Sequence, residues 1–203
     1  MLIVLDFDGT LVEENSSRLF EKQLLERDQP SILKHLLLLV FFSRLSYFVD
    51  FVLTIISKIT NGYDLRRRII IKNVSRHIDV QKICECIELT AKSLSFNKSL
   101  SSLVSSYQNK LLILSSGLDV IIRKFLEIRG IRVKAVIASK LTIDQNSIKL
   151  LYEIRPKDKV KILCRLSHRF GKLIYITDDM REYYVLRAML IRNSCEKVVL
   201  VLI

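Results

Sequence analysis

The chain has no tryptophan, two prolines and five glycines in 203 residues. So few chain breakers exclude a collagen-like or loop-dominated fold and favour long regular elements with short connections. Its four cysteines, Cys84, Cys86, Cys164 and Cys195, show neither zinc-ligand spacing nor the density of a disulfide scaffold. They read as reduced, structural thiols of a cytoplasmic protein. The N-terminus lacks the basic segment and cleavage site of a signal peptide. No internal repeat is present.

Acidic residues are the scarcer charge. There are 33 Lys plus Arg against 21 Asp plus Glu, a formal net charge of +12. That field favours anionic partners such as phosphorylated metabolites, nucleic acid or an acidic lipid surface, without choosing among them. No basic-aromatic recognition pattern accompanies it, so no specific nucleic-acid partner is expected. Half of the residues are hydrophobic, which excludes global disorder and supplies a sizeable core. Nothing in the sequence sets the oligomeric state.

The periodicity alternates between strand and helix. Residues 2–6 read as a strand and 16–27 as an amphipathic helix. A more apolar helical stretch runs from about 32 to 60, followed by the basic segment 64–76 with Arg66-Arg67-Arg68. Helices are expected over 79–92 and 98–108, then a buried strand over 111–114 and a helix from 119 to Gly130. Val133–Ala138 reads as a strand, and Asp144-Gln145-Asn146 as the turn of a small hairpin. A helix around 158–169, a strand over 173–177, a helix over 179–190 and a strand over 198–203 complete the pattern. Short, nearly all-apolar strands between helices predict an α/β fold, a predominantly parallel sheet covered on both faces in three Rossmann-like layers. The interval 15–109 interrupts this pattern as a helical cap insertion, leaving 1–14 and 110–203 as the core.

Leu36–Ile59 is interrupted by Arg44 and Asp50 and so lacks the uncharged core of a spanning helix. It reads as a packed helical pair lining the cap, with a segment lying on a membrane surface as the alternative. The Arg66–Arg68 run reads as a solvated face or as a guide for an anionic ligand.

Four short segments carry chemistry. In the first, Asp6-Phe7-Asp8-Gly9-Thr10, an apolar strand delivers two carboxylates into a glycine turn. Strand periodicity puts Asp6 and Asp8 on one side and Phe7 on the other. Like charges so close call for a cation, ligand or proton. The second is Ser115, directly after a strand. Its hydroxyl suits a phosphoryl oxygen, and the Ser116 and Gly117 amides lie near a helix N-terminus. A plain helix cap is the alternative. The third is Lys157-Asp158-Lys159 after Pro156, cations at a helix start that the helix dipole disfavours unless an anion compensates. In the fourth, Asp178, Asp179 and Glu182 follow a strand, with Asp179 also placed to cap the next helix.

In this order and strand context the four segments resemble the haloacid dehalogenase superfamily of aspartate-dependent phosphatases over nearly the full chain. The early insertion resembles the helical cap of its phosphoserine-phosphatase-like branch. The resemblance implies a Mg2+-dependent hydrolase for a phosphorylated small molecule. Asp6 would be the nucleophile that forms an aspartyl-phosphate, and Asp8 the general acid and base. Asp6, the Asp8 carbonyl and Asp178 would hold the metal, with Asp179 and Glu182 supporting it. Ser115, Ser116, Gly117 and a lysine would bind phosphate. Lys159 fits the family register best, with Lys157 as competitor.

Thr177 stands where glycine is commoner, and Asp179 where a small residue is. Asn15 occupies the position of the glutamate that recognises the phosphoserine amine, with Glu14 close by. The substrate is therefore expected to be a different, partly hydrophobic phosphomonoester, with a peripheral membrane contact as a further expectation. A phosphotransferase or phosphomutase, and a regulatory protein with an unused site, are the alternative functions.

Overall fold

In the computed structural model, which describes residues 1–27, 65–74, 79–144, 147–193, 195 and 197–203, the first apolar run forms strand β1 (Leu2–Leu5). Helices α1 (Ser16–Arg27), α2 (Leu65–Val74), α3 (Val80–Ser93) and α4 (Ser101–Tyr107) follow among the described residues. The remaining elements alternate: β2 (Leu111–Leu118), α5 (Asp119–Ile128), β3 (Ala135–Asp144), β4 (Ser147–Tyr152), α6 (Pro156–Phe170), β5 (Leu173–Thr177), α7 (Met180–Arg192) and β6 (Val198–Leu202). The expectations for Leu36–Ile59 fall outside the described residues. Among the described residues, no helix is long and apolar enough to cross a membrane.

The six strands form one sheet in the order β4-β3-β2-β1-β5-β6. Among the described strands, only the β3–β4 pair is antiparallel. Central β1 runs parallel to both neighbours, with Ile3 opposite Leu111 of β2 and Ile174 of β5. All four of its residues are buried, which is why the strand shows no polar alternation.

Strand parity sorts the core into two layers. Ile3, Leu5, Leu111 and Ile113 face one apolar cluster, which also contains Phe20, Leu24, Ile70 and Ile83 of the insertion and Ile121 and Phe125 of α5. Leu2, Val4, Leu112, Leu114 and Tyr175 face the other, against Val160 and Leu163 of α6 and Leu186 and Leu190 of α7. The fold is thus an α/β sandwich with a mostly parallel sheet and a helical insertion between its first two strands.

One expectation is corrected. Cys164 of α6 and Cys195, just ahead of β6, are joined by a disulfide rather than left reduced, their Cα atoms 5.6 Å apart. Sequence spacing does not show this pairing, because it arises only when α6 and the segment after α7 pack on the same sheet face. Cys84 and Cys86 are free, the first exposed and the second buried. Burial pushes the Cys86 thiol up to about 11, against a smaller pull from Arg27. A thiol reagent at neutral pH and without reductant should therefore modify Cys84 quickly and Cys86 slowly, leaving Cys164 and Cys195 unlabelled until reduction. Rapid labelling of all four in unreduced native protein would contradict the disulfide.

Candidate active site

Parallel β2, β1 and β5 lie side by side, so their carboxyl ends open on one edge of the sheet, where α/β folds gather functional groups. Asp6 leaves β1 there, Ser115 lies in the last half of β2 and Asp178 follows β5. They line one cavity of about 750 Å³, together with Asp8, Lys159 and Glu182. Glu14, Asn15, Ser116 and Asp179 also border it.

Asp6 keeps the strand parity of Leu2 and Val4 and so faces α6. Its Oδ1 accepts from the Phe7 amide at 2.8 Å, and its Oδ2 from Lys159 Nζ at 3.0 Å. Asp8 does not stay in that register, because the regular strand ends at Leu5. The turn that follows aims its carboxylate at α1, where Oδ1 accepts from the Ser16 amide at 2.8 Å. Burial raises the Asp8 pKa, and the bond from Ser16 only partly offsets this. One carboxylate thus has an ammonium counter-ion, while its neighbour is biased towards holding a proton.

Lys159, rather than Lys157, lines the cavity. Its side chain is 1% exposed, at the first turn of α6. Pro156 opens that helix and Asp158 closes a capping box by accepting from the Arg155 amide at 3.2 Å. Burial would lower the Lys159 pKa, but the Asp6 and Glu182 carboxylates overcome this and raise it. The cation is therefore fixed in place despite the unfavourable end of the helix dipole.

Glu182 sits where the lysine can use it, with its oxygens 2.7 and 2.8 Å from Lys159 Nζ. Asp179 Oδ1 caps α7, accepting from the amides of Arg181 at 2.8 Å and Glu182 at 3.1 Å. The two residues expected to support a metal thus also bind a lysine and a helix end, and both line the cavity. Asn15 likewise caps α1 through Arg18, and Glu14 accepts from the Ser95 amide at 2.8 Å.

Ser115 Oγ accepts from the Gly117 amide at 3.0 Å, which leaves its own proton to donate. A Cβ at position 117 would come within 3.0 Å of Asp8 Oδ2 and 3.2 Å of Ser115 Oγ, so glycine lets these groups converge. Gly9 is more constrained. Its φ is +75°, and a Cβ there would lie 2.2 Å from Asp178 Oδ2. Thr10 Oγ1 donates to Asp178 Oδ1 at 2.7 Å and accepts from the Asp178 amide at 3.0 Å.

Asp6, the Asp8 carbonyl and Asp178 offer hard oxygen donors of the kind that suits a small dication, and the bare Gly9 backbone leaves Asp178 room beside the turn. Among the described residues, no three His, Cys, Asp or Glu side chains gather as a metal cluster. A set of two carboxylates and one main-chain carbonyl asks less than that, and the donor chemistry fits.

Sequence reading missed three participants. Thr10 lay inside a recognised motif but carried no assigned role. Arg67 was hidden in a basic run. It is largely buried, pairs with Glu21 at 3.3 Å and donates to the Ser116 carbonyl at 3.0 Å, tying α2 to the Ser115 loop. Arg68 reaches Glu153 at 2.9 Å, so the run is not simply a solvated face. The third is Tyr175, which looked like any apolar strand residue.

A family model described as haloacid dehalogenase-like hydrolase matches residues 3–180. No curated protein sequence matches the chain. Among solved structures, a phosphoserine phosphohydrolase-like protein from Francisella tularensis subsp. tularensis SCHU S4 is similar at 19% identity and a TM-score of 0.58, over 92% of this chain and 82% of that one. A phospho-aspartyl intermediate analogue of phosphoserine phosphatase is similar at 13% identity and a TM-score of 0.57, over 99% and 92% of the two chains. A HAD family hydrolase from Salmonella enterica subsp. enterica serovar Typhi is similar at 14% identity and a TM-score of 0.58. The match takes in 91% of this chain but only 58% of that hydrolase, so this chain spans little more than half its length. At these identities the likeness is one of fold.

Proposed function

Because the chain belongs to the haloacid dehalogenase-like hydrolases, we propose that it is a Mg2+-dependent phosphomonoester hydrolase working through an aspartyl-phosphate on Asp6. The observation that carries this reading is the buried Lys159 ammonium held against Asp6, in a cavity that Ser115 and Asp178 share. A carboxylate beside a fixed cation, where oxygen donors converge, suits attack on phosphorus.

Asp6 Oδ would attack the phosphorus as the bond to the leaving oxygen breaks. Asp8, whose pKa burial raises, would give its proton to that oxygen. It would then take a proton from the water that attacks the aspartyl-phosphate, releasing phosphate and restoring Asp6. The free proton on Ser115 Oγ would go to a phosphoryl oxygen, and Lys159 would offset charge beside the nucleophile. Asp6, the Asp8 carbonyl and Asp178 would hold Mg2+, which when bound supplies positive charge for the transferring group.

We also treat 15–109 as a cap over this cavity. Asn15 carries no charge to meet an amine, which argues against phosphoserine and for a less polar leaving group. The apolar composition of Leu36–Ile59 likewise favours an apolar leaving group or a membrane surface. A cytoplasmic setting is part of this reading; the Cys164–Cys195 disulfide stands against it, and thiol labelling is the first check.

A phosphate-release screen over phosphomonoesters tests the proposal. Turnover should fall more than about 100-fold on chelation and return with added Mg2+. No release from any substrate, or release that EDTA leaves unchanged, would sink it.

A further inference from the structure

We propose that Tyr175 is a positioning residue, whose phenol fixes the Lys159 ammonium and Glu182 so that the ammonium stays against Asp6. The inference rests on the phosphatase reading for its catalytic consequence, though not for its geometry.

Tyr175 lies on β5 opposite Val4, two residues before Asp6 on the neighbouring strand. It is fully buried and faces α6, the helix that carries Lys159. It does not line the cavity, so it lies behind the reacting groups.

Counting hydrogens shows what the hydroxyl does there. An ammonium has three protons and no acceptor. Lys159 Nζ meets Asp6 Oδ2 at 3.0 Å, the Tyr175 hydroxyl at 3.0 Å and Glu182 oxygens at 2.7 and 2.8 Å. The phenol has one proton, which it gives to Glu182 Oε1 at 2.5 Å. It therefore accepts from the cation and donates to the anion, closing a ring of three groups.

Removing that oxygen alone leaves the three ammonium protons with three carboxylate oxygens, two of them on Glu182 and one on Asp6. It also leaves Glu182 with one donor fewer. The ammonium then has only two carboxylates to satisfy it, and Glu182, on the first turn of α7, can draw it away from Asp6. Tyr175→Phe isolates this effect, because the ring and its 5.7 Å contact with Lys159 Nζ remain.

The test pairs kinetics with 15N–1H spectra of the lysine ammonium groups. Native protein should give a slowly exchanging Lys159 resonance with an Overhauser contact to the Tyr175 ring protons. If that contact is absent the proposal fails, whether or not any variant folds. Tyr175→Phe should lower kcat about tenfold with KM within about twofold, and should shift or broaden the Lys159 signal. A purely structural role would lower the melting temperature without that split. An unchanged kcat, or a lowered kcat with an unchanged Lys159 signal, would overturn the proposal. If native protein hydrolyses no phosphomonoester, the phosphatase reading falls by itself, and the Lys159 signal still decides whether Tyr175 anchors the lysine.

Discussion

Asp6→Asn should reduce phosphate release by roughly 10⁴-fold or more while leaving the protein folded. An amide cannot supply the nucleophile, and as a ligand for a hard dication it is poorer than a carboxylate. The structural penalty is small by comparison. Asp6 uses both oxygens, one for the Phe7 amide and one for Lys159. Asparagine keeps one acceptor and presents an NH2 group to a donor, losing one charge-assisted hydrogen bond worth about 1.5–3 kcal/mol. Against that loss, it removes a negative charge from a buried group that already contains Glu182. The melting temperature should therefore move by no more than about 5 °C. Retained turnover in this variant, once contaminating phosphatase is excluded, would refute the nucleophile assignment.

Lys159→Met should damage stability and activity together. The substitution keeps an unbranched chain of similar length but deletes the cation between Asp6 and Glu182. Breaking a buried ion pair by removing one partner costs about 3–5 kcal/mol, here a fall of roughly 10 °C in melting temperature for a chain of 203 residues.

The pH dependence gives the cause. Burial already raises the Glu182 pKa in the folded protein, with Lys159 pulling it down. Without the lysine it rises further. A carboxyl whose folded pKa lies above its unfolded value favours folding when protonated, and that stability is lost as pH rises through the window between the two values. The deficit of Lys159→Met relative to native protein should thus be smaller near about pH 5 than near about pH 8. A deficit that does not change with pH would point to lost packing rather than uncompensated charge. The contrast between the variants is informative, since removing the anion leaves a neutral pair and removing the cation leaves two like charges.

The linear order of residues exposed the elements well, because their periods are clean. The strand 2–6 and the helix 16–27 could be read almost to the residue. The alternation from 111 to 203 could be read in its order, although β2 and β3 run on past the expected strands to Leu118 and Asp144. Buried parallel strands show as short apolar runs, and capping residues such as Asn15, Asp79 and Asp179 mark helix starts. The candidate nucleophile, the hydroxyl and the acids were legible for a related reason. Each lies near the carboxyl end of a strand, and parallel strands bring those ends to one edge.

Tertiary structure decided what depends on distances between segments far apart in the chain. Lys157 and Lys159 are equivalent by composition and differ only in which side of α6 meets β1 and β5. Asp8 left the register of Asp6 because the strand stopped at Leu5 and the turn re-aimed its side chain. The Cys164–Cys195 link, the burial of Arg67 and the phenol of Tyr175 beneath Lys159 have no local signal at all. By itself, the sequence determined the order of elements and the chemical types at the strand ends, since both follow from local backbone preference and apolar periodicity. Only the tertiary structure decided which charges share a buried space, because that pairing is set by how α6 and α7 pack on the sheet.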